Sequence, residues 1–134
     1  MSKFLIIIFA FCSCAPLKYN DYKSEKDNNY YVSQIDSINN YYLIYAKSND
    51  SIYKIVSEKN VLTNKCNKLK LNREYKLSLI SYKKSAFKIN GMTTIPLNTT
   101  CFGMDENTFI CLEIEKGIYD LYFTENLVGL CFKD

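Results

Sequence analysis

The chain has 134 residues and a net charge of +3 at neutral pH, and it contains no histidine. That length suits one domain. The missing imidazole excludes Ser-His-Asp and Cys-His catalysis, and any zinc site with a histidine ligand. Its 12 Tyr and 8 Phe without a Trp point to β structure, where a Tyr ring covers apolar surface and its hydroxyl stays wet.

Lys3 precedes an unbroken apolar run from Phe4 to Phe11, followed by Cys12, Ser13 and Cys14. A cation, a short apolar stretch and small residues are the three parts of a secretory signal peptide. The run is too short for the hydrocarbon layer, which takes about 20 apolar residues as a helix. Residues 1–13 are therefore assigned to the signal. Phe11, Cys12, Ser13 and Cys14 together resemble the lipobox of bacterial lipoproteins, with a small residue at Ser13 and Phe11 where Leu is usual. The resemblance implies cleavage before Cys14 and acylation of its sulfur and its new amine. Burying acyl chains contributes about 0.8 kcal/mol per methylene, and two or more chains make a stable anchor. An ordinary signal peptide cut nearby is the other reading, and it leaves Cys14 unmodified.

Residues 14–40 read as the lipidated cysteine followed by a flexible tether, rich in Asn, Asp, Ser and Lys. Within it, Tyr30, Tyr31 and Val32 with Ile35 and Ile38 suit a short docking turn or strand. The folded body is expected over 41–134. Tyr41 to Ala46 and Ser51 to Ser57 form a hairpin across Lys47–Asp50, a four-residue connection with turn chemistry. Lys68 to Leu71 alternates. Tyr75 to Leu79 alternates again, with Tyr75, Leu77 and Leu79 on one face and Lys76 and Ser78 on the other.

Ala86 to Ile89 suits a short strand before the Asn90-Gly91 turn, and residues 93–103 suit an irregular crossing. Met104 to Asn107 is a turn. Thr108 to Ile114 is nearly continuous in apolar residues, the mark of a central strand. Over 118–128, Ile118, Leu121, Tyr122 and Glu125 fit a helical face with Gly129 as its C-cap. Tyr119, Leu121 and Phe123 fit a strand equally well, and the reading leans to a short helix. Leu130 to Phe132 closes the chain as a short strand. The expected fold is mainly β: a small antiparallel barrel of OB-like type, with one short helix near the C-terminus. A β-sandwich is the alternative.

Four body cysteines, Cys66, Cys101, Cys111 and Cys131, read as two disulfides in an exported chain, with three connectivities open. They lack the close Cys-x-x-Cys pairing of tight thiolate sites, so no metal is expected. Apolar neighbours around Cys111 and Cys131 suggest buried, inert sulfurs. Lysines interspersed with Glu and Asp form no stripe for nucleic acid.

From the lipobox-like Phe11–Cys14 through Tyr41–Lys47 to Glu125–Cys131, the whole chain resembles the small lipoproteins of Bacteroides-type bacteria. The similarity implies attachment to the bacterial cell envelope, at the outer membrane on its periplasmic or surface side. It carries over no activity, and Cys14 is the only functional residue that it transfers. The leading expectation is a membrane-tethered, non-enzymatic binding module without cofactor, taking a protein or a glycan. Tyr30, Tyr31, Tyr41 and Tyr45 are the candidate contact residues, because Tyr covers area at low entropic cost. One alternative is a carboxylate-dependent envelope hydrolase using Asp105, Glu106, Glu113 or Glu115, with Glu113 and Glu115 sharing a strand face. Another is a structural subunit of an envelope complex.

Overall fold

The computed structural model describes residues 28–59, 66–86 and 98–133. The expected signal, Cys14, the first part of the expected tether, residues 87–89 of the expected strand and the Asn90-Gly91 turn lie outside the described residues.

Three long strands, β1 (Asn28–Ile38), β2 (Tyr41–Ser48) and β3 (Ser51–Glu58), form an antiparallel meander. Asn39 and Asn49 turn the corners with φ of 47° and 52°, a left-handed conformation that Asn tolerates because its short amide can bond locally. The β2–β3 hairpin stands where its pattern placed it. Its connection is two residues, since the ladder runs out to the Ser48–Ser51 pair. The expected tether, by contrast, does not extend to residue 40, because Asn28–Ile38 is a strand. Tyr30 and Val32 share one face and are fully buried, so this stretch is anchored in the core at those two positions and pairs as a strand.

The chain continues through β4 (Asn67–Lys68), β5 (Arg73–Leu77), β6 (Leu79–Ser81) and a short helix α1 (Tyr82–Ala86). Ser81 caps α1 by accepting from the Lys84 N–H at 3.0 Å. After β7 (Cys101–Asp105) and β8 (Thr108–Cys111) comes a 3-10 turn at Ile114–Lys116, then β9 (Leu121–Thr124), β10 (Leu127–Val128) and β11 (Cys131–Phe132).

The main sheet has the order β5-β1-β2-β3-β9-β6, antiparallel except for the parallel β3–β9 pair. Its two end strands, β5 and β6, are consecutive in the chain with Ser78 alone between them. Two virtual bonds of 3.80 Å hold the facing Cα atoms within about 7.6 Å of each other. The sheet therefore curls until its ends meet. Closure runs through the covalent chain at Ser78; no ladder joins β5 to β6, so the expected closed barrel is corrected to a curled, open sheet.

Inside the curl lie Tyr30, Val32, Ile44, Ala46, Ile55, Leu77 and Leu79, capped by Leu127 of β10 and by Leu69 just after β4. Outside, the β7–β8 hairpin packs in a sandwich-like layer, with Phe102, Ile110 and Leu112 against Leu43, Val56 and Leu121. Mainly β is thus the observed class.

Two further expectations are corrected. The run 108–114 is no central strand: β8 is half of a two-stranded hairpin, and Phe109 is 64% exposed on its outer side. No helix forms over 118–128, which holds β9 and β10. Leu121 packs on the outer layer while Tyr122 packs on the inner core, and only an extended chain sends neighbours to opposite faces. Gly129, with φ of 59°, turns β10 into β11 rather than capping a helix.

Candidate functional site

The disulfides are Cys66–Cys131 and Cys101–Cys111. The first ties the segment entering β4 to β11. The second crosses the β7–β8 hairpin between paired residues. Cys111 is exposed on the outer face of that hairpin rather than buried.

Two clusters of charge emerge. The first centres on Glu113, just beyond β8. Tyr45 and Lys54 are direct cross-strand partners on β2 and β3, and their side chains reach the same carboxylate. The Tyr45 hydroxyl donates to Glu113 Oε1 at 2.6 Å, and Lys54 Nζ donates to the same oxygen at 2.5 Å. Lys116 Nζ donates to Oε2 at 2.5 Å. The 3-10 turn brings Lys116 beside Glu113, and Gly117 closes that turn with φ of 75°, where a side chain would be strained. Lys54 is buried, and it spends a further donor on the Cys111 carbonyl at 2.9 Å. Burial alone would raise the Glu113 pKa, but the bonds from Lys116, Lys54 and Tyr45 outweigh it and bring it down to about 2. Burial and then the Glu113 carboxylate push the Tyr45 hydroxyl well above the usual tyrosine range. Every oxygen of this carboxylate is occupied.

The sequence candidates fall unevenly around this cluster. Tyr30 is in the inner core at 1% exposure and Tyr45 is buried against Glu113, which leaves neither a surface to offer a partner. Tyr31 is exposed and donates to Asn72 Oδ1 at 3.0 Å. Tyr41 donates to the Met104 carbonyl at 3.3 Å, bracing the β7–β8 hairpin. Asp105 and Glu106 sit at the tip of that hairpin, and Asp105 accepts from the Asn107 N–H at 2.9 Å. Glu115 lies in the 3-10 turn, so it shares no strand face with Glu113. Among the described residues, no three Cys, Asp or Glu side chains gather to hold a metal ion, and no helix is long and apolar enough to cross a membrane.

The second cluster is a cleft of about 660 Å³ between the two edge strands β4 and β5. That volume lies inside the range of roughly 300–1,000 Å³ typical of ligand sites. Its lining holds four cations, Lys68, Lys70, Arg73 and Lys76, against one carboxylate, Glu74. The floor is aromatic: Tyr75 and Phe132 meet edge to face with centroids 5.3 Å apart. The Tyr75 hydroxyl accepts from the Lys70 N–H at 2.8 Å, fixing the ring. Cys66 lines one end, and its bond to Cys131 holds β4 against β11 beside the floor.

These residues were missed as a site. The signal was present locally, because residues 68–76 carry four cations and a single acid. The lysines interspersed with acids along the rest of the chain hid it. The approach of Phe132 to Tyr75 has no sequence signature.

No protein family, curated protein or solved structure matches the chain, so the site is read from its own chemistry.

Proposed function

We propose that this protein is a non-enzymatic binding module, held at a bacterial membrane by an acylated Cys14, that captures an anionic ligand in the β4–β5 cleft. The observation that carries the reading is the cleft itself: four cations, one carboxylate and a fixed aromatic floor in one concave surface. A concavity lined by one sign of charge concentrates ligands of the other.

The engagement of Glu113 supports a binding role over an enzymatic one. A general acid needs a pKa near the working pH and a free path to substrate. Glu113 is held ionised far below neutrality, with three donors on its two oxygens. Its chemistry is that of a clasp between the sheet and the outer hairpin.

Two measurements test the reading. Titration with polyglutamate by calorimetry is expected to show binding that weakens as salt rises, and Lys70→Glu with Arg73→Glu is expected to abolish it. Equal binding by that variant would overturn the assignment. The anchor is tested apart from the cleft, by the intact mass of native protein extracted from membranes. A mass beginning at Cys14 with acyl chains supports the tether, and an unacylated mass removes it.

A further inference from the structure

We infer that the ligand of the cleft is an extended acidic polypeptide segment, laid along the free edge of β5 as an added strand. The inference rests on the anionic-ligand reading above and gives it a partner class.

The cleft is lined by four successive residues, Arg73, Glu74, Tyr75 and Lys76. Neighbours on a strand point to opposite faces of the sheet. A surface to which all four contribute is therefore the edge of the strand, where backbone N–H and C=O groups are displayed. β5 ladders only with β1, and β4 ladders only with β11, among the described residues. The cleft is thus a slot between two strand edges.

The molecule already uses this edge once. Asn126 Nδ2 donates to the Lys76 carbonyl at 2.8 Å, and Asn126 Oδ1 accepts from the Ser78 N–H at 3.5 Å. The side-chain amide here makes the pair of bonds that one residue of an added parallel strand would make, through its own N–H and C=O. Backbone groups of alternate strand residues face the same side, so the N–H and C=O of Glu74 point the way of the Lys76 carbonyl, one step further into the cleft. Recognition by strand addition takes affinity from such main-chain groups and selectivity from flanking side chains. Here the flanking side chains are Lys68 and Lys70 on one wall and Arg73 and Lys76 on the other. A compact anion would need its donors to converge on one point, and a glycan has no backbone amide for the edge. An extended chain with carboxylates along it suits both the basic lining and the edge.

The test uses the full mature chain in neutral detergent and four probes. These are a peptide alternating Glu with Thr, two versions of it N-methylated on alternate residues in opposite phases, and an oligogalacturonate of equal charge. The expected result is that the parent peptide binds, that one methylation phase weakens binding about tenfold, and that the other phase leaves it unchanged. Lys70→Gln with Arg73→Gln, checked for an unchanged thermal transition, is expected to lose binding. Equal affinity for all three peptides overturns strand addition and leaves the anionic cleft standing. Binding of oligogalacturonate without the peptide overturns the partner class and also leaves the cleft standing. Binding of none of the four overturns both readings.

Discussion

The Glu113 cluster and the β4–β5 cleft are both gatherings of charge, and they are built in opposite ways. In the first, one carboxylate meets two ammonium groups and a hydroxyl, with Lys54 and Tyr45 buried beneath it and Lys116 closing it from the exposed side. In the second, four cations and one carboxylate line an exposed concave edge. A cluster that satisfies itself has nothing left for a ligand, whereas an imbalance of charge at an accessible edge is maintained against self-repulsion. Each region also has its own disulfide, Cys101–Cys111 beside the clasp and Cys66–Cys131 beside the cleft. The first closes a separation of 10 residues and the second a separation of 65. The clasp is a local device, and the cleft depends on a long-range cross-link.

The sharpest way to break the comparison is to remove that cross-link. Cys66→Ser with Cys131→Ser is expected to cost about 4 kcal/mol, from the entropy released to the unfolded chain by so long a loop. Thermal unfolding by circular dichroism would register this, and a variant as stable as the parent would show that β4 is held by packing alone.

Next in size is Glu113→Gln, which leaves Lys54 buried without a counter-charge. The expected loss is about 3 kcal/mol. Replacing both partners, Lys54→Met with Glu113→Leu, is expected to recover most of it, because a well-packed apolar pair avoids the desolvation that the ions suffer. Denaturant titrations of the single and double variants separate the two cases. If the double variant is no better than the single, the ion pair has a role beyond its own satisfaction.

The same residue gives a pH signature. The folded pKa of Glu113 lies at about 2, below its ordinary value of 4.5. A depressed carboxylate contributes stability that is fully present above 4.5 and is lost as pH falls through the folded value. Stability is therefore expected to decline between about pH 4.5 and pH 2, and Glu113→Gln should remove the part of that decline due to this group. Parallel pH profiles of the two proteins would contradict the clasp.

The smallest effect on stability belongs to the cleft. Lys70→Gln and Arg73→Gln change exposed side chains and should move stability by no more than about 0.5 kcal/mol, while removing ligand binding. A large loss of stability would mean that these cations support the fold, and the contrast between the regions would fail.

The hairpin of β2 and β3 was legible because alternation and turn residues agree there. β1 was hidden by its own solution to exposure. Asn, Ser, Gln and Asp occupy its outward positions, and their polarity reads as a tether until Tyr30 and Val32 are seen to share a face. Residues 118–128 satisfied helical and strand spacing alike. Two apolar layers, one on each side of β9, decided for the strand, and no local window contains that information. The clasp was illegible for a related reason. Glu113 was weighed against Glu115, its neighbour in sequence, while its partners Lys54 and Tyr45 lie 59 and 68 positions away.

The most direct test of the contrast is a map of amide chemical shifts during titration with polyglutamate. The account predicts changes confined to Cys66–Lys76 and Phe132, with none at Tyr45, Lys54 or Glu113. Shifts gathered around Glu113 and Lys116, or no shift in the cleft at saturating ligand, would contradict it.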